Sequence, residues 1–283
     1  HAPQDSAGLA ALYGGRAGLA AKLDAFFATP GEFHVGSYGE PIHEMLEARD
    51  VRMGQYGHSN QPSHHIIYMY DVARQPWKTQ DKVRDVLDSI GQTQERLGEY
   101  QASLATHQQA LALAREAGSR IDESSAITGI GKAQLGLGEA PQALQSFEQA
   151  LALDVELGNR NAQRIDHNTI GDVHRSLRQW PQALEAYGRA LELARGLKDD
   201  ESEAAIHTRI GNVEFDRENY VESIAAYDRA LAVHARLADP VNQAIDLGNA
   251  ANAYKQQGDL EGAHQRYLRA IELAQRAQHV PYE

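Results

Sequence analysis

Residues 127–159 have the sequence ITGIGKAQLGLGEAPQALQSFEQALALDVELGN, in which two helical patterns flank a short break. Ile130 and Gly131 follow Ile127 at three and four residues, the spacing of one helix face. After the break at residues 136–139, a second apolar stripe comprises Ala143, Phe147, Ala150, Leu151 and Leu153. Gly158 suits the end of that helix, because glycine is favoured just past a helix end. The stretch therefore predicts a pair of helices.

The same pattern recurs every 40 residues, five times in succession. A small residue lies midway along the first helix of each repeat, at Gly91, Gly131, Gly171, Gly211 and Ala251. An alanine marks the second helix of each repeat, at Ala110, Ala150, Ala190, Ala230 and Ala270. One such repeat cannot bury its apolar face alone, so repeats of this kind stack into a solenoid with a continuous core. Solenoids present extended surfaces for binding other macromolecules, so the period predicts a binding protein.

The charge of the chain is acidic and is concentrated in the repeats. The chain has 39 Asp and Glu residues against 27 Lys and Arg, a formal net charge of −12. Residues 1–84 hold 9 acids and 8 bases, a net of −1, so residues 85–283 carry the remaining −11. Such a field repels nucleic acid and anionic membranes, and we expect neither as a partner. The sequence shows no cysteine, no apolar run long enough for a membrane span and no signal-peptide pattern.

The small and aromatic positions of residues 85–283 resemble the tetratricopeptide repeat. Sixteen residues after the small position, that family has an aromatic residue; Phe147, Tyr187, Tyr227 and Tyr267 comply, while His107 departs. Small residues let neighbouring helices approach closely, and one aromatic ring fills the gap. The resemblance implies an all-α, right-handed superhelical solenoid of five helix pairs. Each repeat is longer than the usual unit of about 34 residues.

In that family the first helix of each repeat lines the concave face. The candidate peptide-groove residues are therefore those that flank the small position: Asp88, Gln92, Lys132, Asn168, Asp172, Arg175, Asn212, Phe215, Asn252 and Lys255. The asparagines can donate and accept hydrogen bonds to a peptide backbone, and the cations suit acidic ligand residues. The resemblance implies a non-enzymatic scaffold that binds a protein or peptide segment; the alternative is a solvated polar face. We expect His167 and His207 to be exposed polar residues, with a metal or pH-sensitive contact as the alternative.

Residues 1–84 lack the 40-residue period and form a predicted separate segment. The strings HAPQDSAGLAALYGG (residues 1–15) and GQYGHSNQPSHHIIYMYDVARQPWKTQDKVRDVL (residues 54–87) resemble the late catalytic domain of glycoside hydrolase family 92, the calcium-dependent exo-acting α-mannosidases. The residue pattern predicts helices over residues 15–28, 40–50 and 62–73. The resemblance implies that this helical segment is equivalent to part of an (α/α)6 barrel. Its loop near the sugar site would supply a sugar-site remnant: Asn60, Gln61, His64 and His65.

This resemblance does not extend to a complete active site. Inverting glycoside hydrolysis uses two carboxylates about 6.5–9.5 Å apart, and in the family these lie upstream and downstream of the matching part. Gln61 stands where many members have glutamate, and an amide cannot transfer the proton. We expect no catalytic residues, no metal, no cofactor and a cytoplasmic location. The alternative is an α-mannosidase or a carbohydrate-binding remnant, with calcium as its cofactor and a secreted or periplasmic location.

The two patterns meet on one predicted helix near residues 77–97. At the other end, the second helix of the fifth repeat carries an apolar stripe with no following helical pattern to cover it: Ala270, Ile271, Leu273 and Ala274. Uncovered apolar surface tends to find a partner. We therefore predict either a homo-oligomer through the carboxyl-terminal helix or a missing capping helix.

Overall fold

The computed structural model describes residues 10–28 and 74–278. Within these ranges the chain is helical and contains no strand, which confirms the all-α prediction. The helices are α1 (Arg16–Ala28), α2 (Pro76–Leu97), α3 (Tyr100–Ala117), α4 (Arg120–Gly136), α5 (Ala140–Glu156), α6 (Arg160–Ser176), α7 (Trp180–Leu197), α8 (Asp200–Asp216), α9 (Tyr220–Arg236), α10 (Pro240–Gln257) and α11 (Leu260–Gln278). The helices predicted over residues 40–50 and 62–73 lie outside the described residues.

The 40-residue period appears in the structure as a helix that begins every 20 residues from α3 to α11. Each turn contains a residue with positive φ, at Gly98, Gly118, Gly138, Gly158, Arg178, Lys198, Glu218, Ala238 and Gly258. A left-handed residue just past the last turn is a common way to end a helix. The first helix of repeats two to five follows a residue whose side chain accepts a backbone N–H: Ser119, Asn159, Asp199 and Asp239. Local turn and cap chemistry therefore set the period.

The chain divides into two compact halves, residues 1–137 and 138–283. In the amino-terminal half, α2 packs against α3, α3 against α4, and α2 also contacts α4. Lys78 Nζ on α2 donates to both carboxylate oxygens of Asp24 on α1, at 2.7 and 2.6 Å. Lys82 Nζ lies 5.3 Å from the centroid of the Phe27 ring. A single helix, α2, spans the predicted meeting of the two patterns, and the predicted division at residue 84 stays a prediction.

In the carboxyl-terminal half, each helix from α5 to α11 packs against the next one in the chain. Its core consists of alanines and larger apolar side chains: Ala183, Tyr187, Ala190, Ala194, Ile206 and Val213. The alanines keep neighbouring backbones close, so that one buried tyrosine ring fills the space between helices. None of the described helices is long and apolar enough to cross a membrane.

The last helix, α11, exposes part of its predicted apolar stripe. Ile271 is 53% exposed and Ala274 is exposed, while Ala270 and Leu273 are half-buried. Residues 279–283 lie outside the described residues. Self-association through this helix stays a prediction.

Candidate functional site

The repeat aromatic occupies the space that the small residue leaves open. The ring of Tyr187 is fully buried, and its Cε1 would lie 2.6 Å from a Cβ atom added at Gly171. Tyr227 bears the same relation to Gly211, also with 2.6 Å. Carbon atoms attract best at about 3.5–4.0 Å, so each ring requires a glycine opposite it. This packing fixes the position of each tyrosine hydroxyl group.

In the amino-terminal half, His107 takes the place of the aromatic residue. Its ring is fully buried, and a Cβ atom at either Gly91 or Gly129 would collide with it. His107 Nε2 lies 3.1 Å from Oε1 of Glu95, and Nδ1 lies 3.9 Å from Oδ1 of Asp88. Burial raises the pKa of Asp88, and the attraction of His107 opposes that rise. The departure from the aromatic pattern thus places a polar ring beside carboxylates.

In the last three repeats, the tyrosine hydroxyl donates to the residue that follows the small position. The pairs are Tyr187 to Asp172 Oδ1 at 2.5 Å, Tyr227 to Asn212 Oδ1 at 2.7 Å and Tyr267 to Asn252 Oδ1 at 2.5 Å. Burial raises the pKa of Tyr227 to about 12, so this hydroxyl remains a donor at neutral pH. Because the tyrosines occupy the amide oxygens, the –NH2 groups of Asn212 and Asn252 remain to donate.

Two ion pairs join the first helices of neighbouring repeats. Arg175 Nε on α6 donates to Oδ2 of Asp216 on α8 at 2.7 Å. Arg209 Nε on α8 donates back to the carboxylate of Asp172 on α6, at 3.3 and 3.4 Å. Both guanidinium groups therefore already have a carboxylate partner within the protein.

A buried carboxylate links α8, α9 and α10. Thr208 Oγ1 donates to Oδ1 of Asp246 at 2.8 Å, and His234 Nδ1 lies 2.6 Å from Oδ2 of the same residue. Asp246 is 1% exposed, and burial raises its pKa although the hydrogen bonds from His234 and Thr208 oppose the rise. The carboxylate of Asp246 thus links three helices through hydrogen bonds.

These side chains border a groove of about 910 Å³ in the carboxyl-terminal half, which we call the α8–α10 groove. Its lining comprises Asp172, Arg175, Glu201, Ala205, Thr208, Arg209, Asn212, His234, Leu237, Ala238, Asp239, Pro240, Asn242, Ile245 and Asp246. The lining mixes charged, amide and aliphatic groups. Such a surface suits a polymer with a polar backbone and varied side chains better than a purely apolar ligand.

The structure brings together three of the predicted groove residues, Asp172, Arg175 and Asn212, in this lining. The other four in the same half are not among its lining residues: Asn168, Phe215, Asn252 and Lys255. Asn168 is half-buried, and within the described chain its buried Oδ1 has no hydrogen-bond partner. Phe215 packs edge-to-face on Tyr220, with ring centroids 5.7 Å apart.

The remaining predicted groove residues, Asp88, Gln92 and Lys132, belong to the amino-terminal half. Gln92 Nε2 donates to Oδ2 of Asp88 at 2.7 Å, and Lys132 is exposed. Asp88 and Gln92 are therefore hydrogen-bonded to each other on one face of α2.

Sequence reasoning missed most of the lining on α8 and α10. Glu201, Ala205 and Arg209 lie ten, six and two residues before Gly211 and share one face of α8 with Asn212. Residues three and four apart on a helix lie on the same side. Extending the face by whole helical turns from the small position would have found them.

His167 and His207 occupy matching places in the third and fourth repeats. His207 is 4% exposed and His167 is half-buried, so the prediction that both are exposed is wrong. Burial lowers the pKa of both residues. Among the described residues, no group of three or more His, Cys, Asp or Glu side chains is placed to hold a metal ion. The sugar-site candidates Asn60, Gln61, His64 and His65 lie outside the described residues.

Comparison with protein families gives two kinds of match. A tetratricopeptide repeat model matches residues 83–154 and 202–276, and a second model of that repeat matches residues 169–201. The glycosyl hydrolase family 92 catalytic domain model matches residues 1–98. A comparison with curated protein sequences gives no significant match.

Several solved structures share the fold at low sequence identity. BtubC (BKLC) from P. vanneervenii is 17% identical, with a TM-score of 0.67, 84% of this chain covered and 92% of that one. Aspartyl phosphate phosphatase F from Bacillus subtilis is 14% identical, with a TM-score of 0.66 and coverage of 85% and 67%. A Rap protein in complex with competence and sporulation factor is 12% identical, with a TM-score of 0.59 and coverage of 96% and 78%. Since a single repeat model matches more than half of its 283 residues, the chain belongs to the tetratricopeptide repeat family, with an amino-terminal segment similar to the family 92 glycosyl hydrolases.

Proposed function

We propose that this protein is a non-enzymatic scaffold that binds an extended segment of a protein or peptide in the α8–α10 groove. The proposal is supported by the fold, which it shares with a Rap protein whose structure contains competence and sporulation factor. It rests mainly on one observation about Asn212 and Asn242, the two asparagines in the groove lining.

Hydrogen bonds within the protein orient both groove asparagines. Asn212 accepts its hydrogen bond, whereas Asn242 donates its hydrogen bond. Asn212 Oδ1 accepts from the Tyr227 hydroxyl at 2.7 Å, so its –NH2 group is left to donate. Asn242 Nδ2 donates to Oδ2 of Asp239 at 2.6 Å, so its Oδ1 is left to accept. A peptide backbone alternates C=O acceptors and N–H donors. The groove therefore offers one fixed donor and one fixed acceptor, which suits an extended backbone.

The test is recovery of binding partners by the intact chain and by the Asn212→Ala, Asn242→Ala double variant. The matched control is Gln149→Ala, Gln182→Ala, which removes two exposed amides from the second helices α5 and α7. A net contribution of about 1 kcal/mol for each lost hydrogen bond predicts binding weaker by roughly tenfold or more. Circular dichroism checks that both variants fold. Equal recovery of every partner by the groove variant and the control would refute the assignment.

A second candidate function concerns the amino-terminal segment, because residues 1–98 match the family 92 catalytic domain. It is an α-mannosidase activity or a carbohydrate-binding remnant. Release of mannose from an α-mannoside with added calcium, abolished by His64→Ala, would establish the enzyme. Binding of mannose without its release would establish the remnant. If mannose is neither released nor bound, the scaffold remains the proposed function.

A further inference from the structure

We infer that the segment bound in the α8–α10 groove is basic, with a large aliphatic side chain beside its lysines or arginines. The inference rests on the proposed function and adds the chemistry of the partner. Three features of the lining carry it: its cations are neutralised, its carboxylates are in excess, and its exposed apolar surface is aliphatic.

The guanidinium groups of the groove are already paired. Arg175 donates to Asp216 at 2.7 Å, and Arg209 donates to Asp172 at 3.3 Å. A ligand carboxylate would have to compete with these internal carboxylates, which cross between neighbouring repeats. The groove therefore gives an acidic segment little to bind, and the sequence-based role of Arg175 toward acidic ligand residues is not part of this proposal.

The carboxylates of the groove outnumber its permanent cations. The lining holds four carboxylates, Asp172, Glu201, Asp239 and Asp246, against Arg175 and Arg209. Asp172 is paired with Arg209, and Asp246 is buried beside His234. Glu201 and Asp239 therefore remain to attract a ligand cation. Glu201 is exposed, and it forms no ion pair within the part of the chain that the structure describes. Burial favours the neutral form of Asp239, but its hydrogen bonds with Asn242 prevail and its pKa is lowered, so it is ionised at neutral pH. Charges of one sign that line a cleft attract and orient a ligand of the opposite sign.

The apolar part of the lining is aliphatic and accessible. Leu237 is 37% exposed and Ile245 is 50% exposed, and Pro240 lines the same groove. An aliphatic side chain of the ligand can cover them, and the methylene stems of lysine or arginine can do so while their charged ends stay near the carboxylates. Acidic and aliphatic groups in one groove thus match a basic segment that carries an aliphatic residue.

The test uses three fluorescein-labelled nonapeptides in which leucines alternate with lysines, glutamines or glutamates. Fluorescence anisotropy measures their binding to the full chain and to two variants with equal changes in net charge. Glu201→Gln removes the exposed groove carboxylate, and Glu222→Gln removes an exposed carboxylate on α9 outside the groove lining. We expect the lysine peptide to bind most tightly. Glu201→Gln should weaken it by about two- to fivefold, as for an exposed ion pair, and Glu222→Gln should change it by less.

Each contrary outcome has a defined meaning. No binding of the lysine peptide, preference for the glutamate or glutamine peptide, or equal weakening by the two variants would overturn the inference. In that case, loss of natural partners by the Asn212→Ala, Asn242→Ala variant would still support the proposed function. Retention of those partners by that variant would refute the proposed function itself, so the two failures are distinguishable.

Discussion

Replacing Gly171 with alanine should destabilise the carboxyl-terminal half, although alanine is the better helix former. A Cβ atom at Gly171 would lie 2.6 Å from Cε1 of Tyr187, about 1 Å inside a normal carbon–carbon contact. Tyr187 is fully buried in the core, so its ring has little room to move away. Overpacking of a core costs about 1–3 kcal/mol, and the gain in helix propensity returns about 1 kcal/mol. We expect a net loss of up to about 2 kcal/mol.

The chain provides a matched control at Gly188, which lies in the middle of α7. A Cβ atom there would have nothing within 4 Å, so Gly188→Ala should bring only the propensity gain of about 0.5–1 kcal/mol. Urea unfolding followed by circular dichroism at 222 nm compares the two variants with the parent. The midpoint should fall for Gly171→Ala and rise for Gly188→Ala, by a few tenths of a molar unit or more. If both variants were equally stabilised, the close packing of ring and glycine would not hold in solution.

Three further predictions concern single residues. Lys198 has φ of 57°, which glycine adopts without strain, so Lys198→Gly should stabilise the chain by about 1 kcal/mol in urea unfolding. Burial, and then Arg195, lowers the pKa of His207, so near the ordinary histidine pKa of 6.5 the unfolded chain binds more protons than the folded one. The free energy of unfolding should therefore fall as the pH drops below 6.5, by at most about 1.4 kcal/mol per pH unit. His207→Gln should flatten this dependence in unfolding titrations between pH 7.5 and 5. If α11 mediates self-association, Leu273→Glu should shift the protein toward monomer in light scattering across a concentration series, whereas a strict monomer at all concentrations would exclude the contact.

The helix pairs were predictable because their signals are local. Glycines such as Gly98 and Gly258 end helices, and polar caps such as Asp199 begin them, at intervals visible in the sequence. The non-glycine ends were less obvious, since Arg178 adopts φ of 56° at a site where glycine is favoured. Only alignment with Gly158, which lies 20 residues earlier, predicts that conformation. A period can therefore locate a turn where the residue type alone does not.

The candidate site was predictable only in part, because its chemistry depends on contacts between repeats. Arg175 and Asp216 are 41 residues apart, and Arg209 and Asp172 are 37 apart, close to one repeat in each case. A search for opposite charges about one repeat apart on first helices would have proposed both pairs. Without it, Arg175 resembled a free cation that could hold an acidic ligand. The pattern within one repeat identifies which residues face outward. The neighbouring repeat determines which of their charges are already paired and which are left for a ligand.

The groove and the core are connected through the tyrosine of each repeat. In the fourth repeat, the lack of a Cβ atom at Gly211 lets the Tyr227 ring pack closely, and the hydroxyl of that ring fixes the amide of Asn212. In the fifth repeat the small position is Ala251, and Tyr267 is only half-buried, yet its hydroxyl still reaches Asn252 at 2.5 Å. The less enclosed ring can tolerate the extra methyl group because it has room to shift. The repeat positions that appear purely structural therefore also orient the hydrogen-bonding groups on the first helices, and a change in packing at Gly211 would alter the donor that Asn212 presents to a ligand.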